Sequence, residues 1–102
     1  MKKLTSIQAK FLRGLAHALK PVVFVGQKGL TASLIASTDL AFQRHELIKV
    51  KFIDFKEKEQ KKEIAAAIEN ETNSQMAGII GHIAIFYRPQ NDPEKRKIVL
   101  PN

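Results

Sequence analysis

The 102-residue sequence has no cysteine, no tryptophan and a single tyrosine. Lack of cysteine excludes a disulfide frame, a thiolate metal site and a cysteine nucleophile, and suits a reducing compartment. No apolar run approaches the roughly 18 residues needed to cross a bilayer, and the N-terminus lacks the apolar stretch of a secretory signal. A cytoplasmic protein without a membrane partner is expected. Low-complexity tracts are also missing. Hydrophobic residues at 44% and charged residues at 26% are ordinary for a folded domain. One domain over residues 1–102 is the natural reading, with 90–102 as a partly extended tail. A chain of this size buries roughly two-thirds of its unfolded surface and can fold by itself.

Acidic side chains are scarce in one half only. Residues 1–51 hold nine Lys/Arg against Asp39 and Glu46, an excess of seven, whereas residues 52–102 hold eight of each sign. The whole net charge of +7 thus lies in the first half. Such a surplus favours a polyanionic partner, and phosphate contacts supply most of the affinity where that partner is a nucleic acid.

Within the basic half, Val22-Val23-Phe24-Val25 reads as a strand and Gly26-Gln27-Lys28-Gly29 as a loop, with Thr31 placed to cap a following helix. Two glycines let a phosphate approach without Cβ interference. The helix N-terminus directs N–H groups and its positive dipole end the same way, and Lys28 adds a full charge. The same residues also fit a tight strand-to-helix turn with positive φ at one or both glycines. The Gly-x-x-x-x-Gly-Lys-Ser/Thr pattern of triphosphate loops is absent, as is a third glycine for a dinucleotide fingerprint.

In chain order, Thr5 or Ser6 caps a first helix running to about Ala18, ending before Pro21, with Ile7, Phe11, Leu15 and Ala18 as its buried face. Lys10, Arg13, His17 and Lys20 form a second, basic stripe, which fits either a solvated face or an extension of the loop's charge. The continuous apolar run Val22–Val25 suits a strand covered on both faces, inside a sheet. A second helix spans about Ala32 to Arg44. Residues 45–55 alternate, with Ile48, Val50 and Phe52 on one side and Lys49, Lys51 and Ile53 on the other. The two lysines therefore share a face, for edge protection or for a ligand. A third helix runs from near Lys58 to about Asn70, with Glu57–Lys61 and Glu59–Lys62 as charge pairs. Residues 75–80 and 83–87 are a hairpin around Gly81-His82, or one bent strand with a bulge. Lys95-Arg96-Lys97 and Ile98-Val99-Leu100 either add a short edge strand or stay a mobile basic end. The order helix-strand-helix-strand-helix-strand-strand predicts an α/β fold with a mixed four-stranded sheet and three helices.

Catalytic constellations are missing. His17, His45 and His82 sit on different elements without metal-ligand spacing. There is no Gly-x-Ser-x-Gly elbow, and Glu57, Glu59, Glu63, Glu69 and Glu71 look like solvated helix charge. A non-enzyme without metal, cofactor or small-molecule substrate is expected. The aromatics, Phe11, Phe24, Phe42, Phe52, Phe55, Phe86 and Tyr87, fall mostly at core positions, so no base-stacking platform is expected; only Tyr87 beside Arg88 invites that role.

Three stretches carry a family resemblance. Lys20-Pro21-Val22-Val23 with Val25-Gly26-Gln27-Lys28-Gly29-Leu30-Thr31, then His45-Glu46-Leu47-Ile48-Lys49-Val50-Lys51, then Ile80-Gly81 leading to Phe86-Tyr87-Arg88-Pro89, resemble the CRM domain of chloroplast RNA splicing and ribosome maturation. A stand-alone copy of this length is similar to the bacterial YhbY type. The resemblance implies a fold similar to the C-terminal domain of a bacterial translation initiation factor and a Gly-x-x-Gly loop comparable to that of KH domains. It also implies a non-catalytic RNA-binding protein associated with 23S rRNA or the precursor of the 50S subunit; a monomer is expected. Carried over by position, Gly26, Gln27, Lys28 and Gly29 form the RNA-contacting loop and Lys49 and Lys51 the basic strand. Arg88 closes the last strand, and Lys10, Arg13 and Lys20 extend the positive surface. Gly78 departs from the family's frequent Gln and would add flexibility in its strand. A protein-interaction module of the translation apparatus, or a chaperone for other structured RNAs, are the rival readings.

Overall fold

The computed structural model describes residues 2–55 and 57–102. Three helices, α1 (Ser6–Ala16), α2 (Ala32–Arg44) and α3 (Lys58–Thr72), alternate with strands β1 (Val23–Val25), β2 (Leu47–Phe52), β3 (Gln75–Ile80) and β4 (Ile83–Tyr87). The strands form one sheet in the order β1-β2-β4-β3, with β1 parallel to β2 and the other pairs antiparallel. The mixed α/β architecture is the one expected from the order of elements.

Local chemistry sets the boundaries. Thr5 closes a capping box with Gln8 at the start of α1, and Thr31 accepts from the Leu34 N–H at 3.0 Å to start α2. Each satisfies a backbone donor that has no partner within its helix. Asn73 ends α3 in the left-handed region, φ 53°, where a short polar side chain is tolerated. Gly81 at φ 60° turns the β3–β4 hairpin, and β3 also carries a bulge between Met76 and Gly78. The segment is therefore the hairpin and not one bent strand, and the bulge lies within β3.

The sheet has two unequal faces. α2 and α3 cover one, burying Leu34, Phe42, Ala65 and Ile68 against Val23, Val25, Ile48, Val50, Phe52 and Phe86. α1 crosses the other and buries Leu12 and Ala16 against Leu47, Ala77, Ile85 and Tyr87.

Four expectations need correction. β1 is an edge strand, with Phe24 exposed between the buried Val23 and Val25; its apolar run reflects a loose rim, since periodicity cannot tell an interior strand from an apolar edge. α1 docks through Ala9, Leu12 and Ala16, whereas Ile7, Phe11 and Leu15 remain exposed. Small residues let the helix approach the strands closely, and a sequence with two apolar stripes does not say which one docks. α1 also stops at Ala16, two residues early. Lys61 is buried and donates to the Gly81 carbonyl at 2.6 Å, tying α3 to the hairpin turn instead of pairing with Glu57.

The C-terminal segment is neither strand nor loose end. The buried Glu46 carboxylate accepts backbone N–H groups from Gln90 (3.0 Å), Lys97 (2.7 Å) and Ile98 (3.1 Å), while Ile98 and Leu100 pack beside α1. Burial pushes this carboxyl upward, but the three N–H donors and nearby Arg96 outweigh it, so its pKa lies below the ordinary 4.5. A carboxylate whose pKa is depressed on folding stabilises the fold above its unfolded value and ceases to do so as pH falls through the folded one. Glu46→Gln keeps an acceptor oxygen but loses the charge, and is therefore expected to cost about 1 kcal/mol at neutral pH, the difference between a charge-assisted and a neutral bond. The difference from wild type should shrink below pH 4.5. Urea melts at neutral and acid pH check this, and an equal difference at both would rule out the charge as the cause.

Candidate nucleic-acid interface

The loop Gly26-Gln27-Lys28-Gly29 follows the end of β1 and leads to the N-terminus of α2. Gly26, Gln27 and Lys28 are exposed, Gly29 is buried, and the Gly29 N–H closes a turn on the Gly26 carbonyl at 3.0 Å. The two glycines do different work. Gly29 has φ 67°, and a Cβ there would come within 3.1 Å of the Phe55 ring, so the fold itself requires glycine. Gly26 has no positive φ and nothing within 4 Å of a built Cβ; the fold makes no such demand on it. No acidic residue occupies the first turn of α2, so the positive end of that 13-residue helix faces no internal carboxylate there. Val22, Phe24, Gly26, Lys28, Thr31 and Ser37 help line an open concavity of about 690 Å³ along the β1 edge.

Beside the loop, the face of the sheet that α1 crosses is only partly covered. Phe24 pairs in register with Lys51 on β2, Lys51 with Ile83 on β4, and Ile83 with Ile80 on β3. Directly paired residues project to the same face. The row ends in Phe24 at 52% and Ile80 at 60% exposure. Lys49, two residues before Lys51 and on the same face, bends to donate to the Leu19 carbonyl at 3.0 Å, so it also braces the exit from α1.

The remaining cations divide. Lys10 and Lys20 are exposed. Arg13 lies across β3, donating to the Ala77 carbonyl at 2.8 Å, and its aliphatic stem fills the space that a side chain at Gly78 would take, with Cδ 2.8 Å from a built Cβ. Gly78 is thus a seat for Arg13. Arg88 is at the opposite end of the sheet, where its N–H bonds the Glu46 carbonyl at the start of β2. Its guanidinium bonds Asp39 at 2.7 Å and the Thr72 carbonyl at 2.9 Å and lies 4.8 Å from the Phe42 ring centroid. The structure does not bring Arg88 together with the loop. Tyr87 is buried; burial first and the Glu46 charge second push its hydroxyl pKa up, with Arg96 opposing, so no Tyr87–Arg88 stacking pair is offered to solvent. The exposed ring nearest the loop in sequence is Phe24, which the apolar run hid by making it look like core. Among the described residues no cluster of His, Asp or Glu is arranged to hold a metal, and no helix is long and apolar enough to cross a membrane.

A family model for the CRS1/YhbY (CRM) domain matches residues 4–88. The chain belongs to the CRS1/YhbY (CRM) family. Among relatives of this CRM domain, a Haemophilus influenzae protein named RNA-binding protein is 45% identical over 99% of this chain and 98% of its own length. A Bacillus subtilis protein named Probable RNA-binding protein YqeI is 35% identical over 96% of this chain and 99% of its own. The solution structure of the hypothetical protein SAV1595 from Staphylococcus aureus superposes with a TM-score of 0.81 at 31% identity, covering 96% of this chain and 99% of that one. The CRM fold expected from the three sequence motifs is therefore the observed one, and the matched region carries α1, the loop, the basic strand and the hairpin.

Proposed function

We propose that this CRM domain is a non-catalytic RNA-binding protein acting on the precursor of the large ribosomal subunit, holding rRNA backbone at the Gly26–Gly29 loop. The observation that carries the reading is Gly26: exposed, unstrained and with open space around it, it needs to be glycine only if something outside the chain comes within Cβ distance. A phosphate at the α2 N-terminus meets that description, with Lys28 supplying the charge. The relatives' names support RNA as the polyanion, and the motif resemblance supports the large-subunit precursor. Lys20, Lys51 and the free part of Lys49 continue the positive surface toward β2, while Lys10 and Arg13 extend it along α1. Arg88 stands apart as a structural residue.

With about five phosphate contacts, the log–log dependence of affinity on salt should have a slope near −3.5 to −4.5, and Lys28→Ala should reduce its magnitude by about one. Stability should change by no more than roughly 0.5 kcal/mol, as for other exposed substitutions. Binding of large-subunit rRNA measured over a salt series, alongside melts, tests both. A slope unaltered by Lys28→Ala would remove the loop from the interface. Sedimentation of a cell extract tests the assembly role: the protein should run with large-subunit particles at low salt and leave them at higher salt.

The exposed stripe of Ile7, Phe11 and Leu15 on α1, with Leu19 just beyond its end, favours a second reading, docking to a protein of the ribosome. That contact would survive nuclease and high salt.

A further inference from the structure

The row Phe24–Lys51–Ile83–Ile80 is not accounted for by a loop that grips only backbone. It crosses all four strands on the face that α1 leaves open, and its two ends are more than half exposed. At its β1 end the row sets a ring beside a cation, a pairing that suits one kind of ligand. Phe24 is an aromatic ring on a short edge strand, lining the concavity and two residues from Gly26, and its in-register neighbour Lys51 is an exposed cation.

We infer that this row receives a single-stranded stretch of RNA, with one nucleobase stacked on the Phe24 ring and the adjoining phosphate beside Lys51. The inference rests on the RNA-binding reading above and deepens it. Base-on-aromatic stacking needs an exposed ring next to a phosphate-binding charge, and it needs an unpaired base, since a base inside a duplex keeps its faces covered. The spacing is suitable: two residues of extended chain separate Phe24 from Gly26, roughly one nucleotide step at about 3.3 Å per residue. A backbone held at the loop can therefore lay its next base on the ring. Charge complementarity selects the occupant. An apolar protein surface has no use for Lys51 beside the ring and Lys28 on the same concavity, whereas a nucleotide uses both.

The test compares wild type, Phe24→Leu and Phe24→Tyr on a short single-stranded RNA carrying 2-aminopurine and on the same strand annealed to its complement, over a salt series. The single strand should bind more tightly than the duplex, with quenching of the 2-aminopurine fluorescence. Phe24→Leu should weaken single-strand binding roughly five- to tenfold and abolish the quenching, in the range found for loss of one stack. Its salt slope should match wild type, because no phosphate contact is lost; Phe24→Tyr should retain both affinity and quenching. Melting curves report whether each variant folds, and the quenching in wild type bears on the proposal even if one does not. Single-strand binding unchanged by Phe24→Leu, absence of quenching in wild type, or a preference for duplex would each overturn the inference while leaving the loop reading intact. Wild type binding neither RNA would instead overturn the proposed function.

Discussion

Gly29→Ala is expected to lower the unfolding free energy by about 2 kcal/mol, combining the roughly 1–2 kcal/mol cost of a left-handed non-glycine residue with displacement of the Phe55 ring. The φ of 67° and the 3.1 Å approach to Phe55 act at the same atom, so neither relieves the other. For a domain near this size the loss corresponds to a fall in melting temperature of roughly 10 °C. Gly26→Ala, three residues away and with open space, should melt within roughly 0.5 kcal/mol of wild type yet bind RNA more weakly. Gly29→Asn separates the two costs at Gly29, because asparagine tolerates positive φ but still meets the ring. Thermal and urea melts of the three variants decide the matter. Equal destabilisation by Gly26→Ala and Gly29→Ala would mean that the loop's glycines serve folding alone.

Arg88→Ala should cost about 2 kcal/mol of stability with RNA affinity unchanged. Most of the loss comes from the orphaned Thr72 carbonyl and the guanidinium packed on Phe42, at magnitudes usual for a charge-assisted bond and a cation–π contact. The ion pair adds little, because the Asp39 side chain is 49% exposed and solvent screens it. Arg88→Lys should not restore the loss, since a point charge cannot bond Asp39 and Thr72 while lying flat over a ring. Weakened RNA binding without loss of stability would return Arg88 to the interface where the sequence motif had it.

These two residues illustrate how unevenly the site was legible. Gly26-Gln27-Lys28-Gly29 is a contiguous motif bounded by a strand and a capping threonine, so its position and shape follow from local rules, and α2 begins where Thr31 predicts. Arg88 looked like part of the same positive surface because charge adds up along a sequence regardless of direction. β4 runs antiparallel to β2, however, and that reversal carries its last residue to the far end of the sheet. Phe24 failed in the opposite sense: it looked buried because its neighbours Val23 and Val25 are, and only its place on an edge strand exposes it.

Gly78 and Glu46 show the same limit at longer range. The space beside Gly78 is filled by Arg13 and the carboxylate of Glu46 gathers N–H groups from residues 90–98, contacts between segments 44 to 65 positions apart that no local pattern encodes.

The sequence by itself determined the order of elements, the caps, the basic half and the Gly26–Gly29 loop, because each depends on backbone geometry and charge within a few residues. The tertiary structure alone decided which strands are the edges, which stripe of α1 docks, which end of the sheet each cation takes and which aromatic rings meet solvent. Those depend on how distant segments pair and pack, and a period-two or period-3.6 pattern carries no information about which neighbour fills each face.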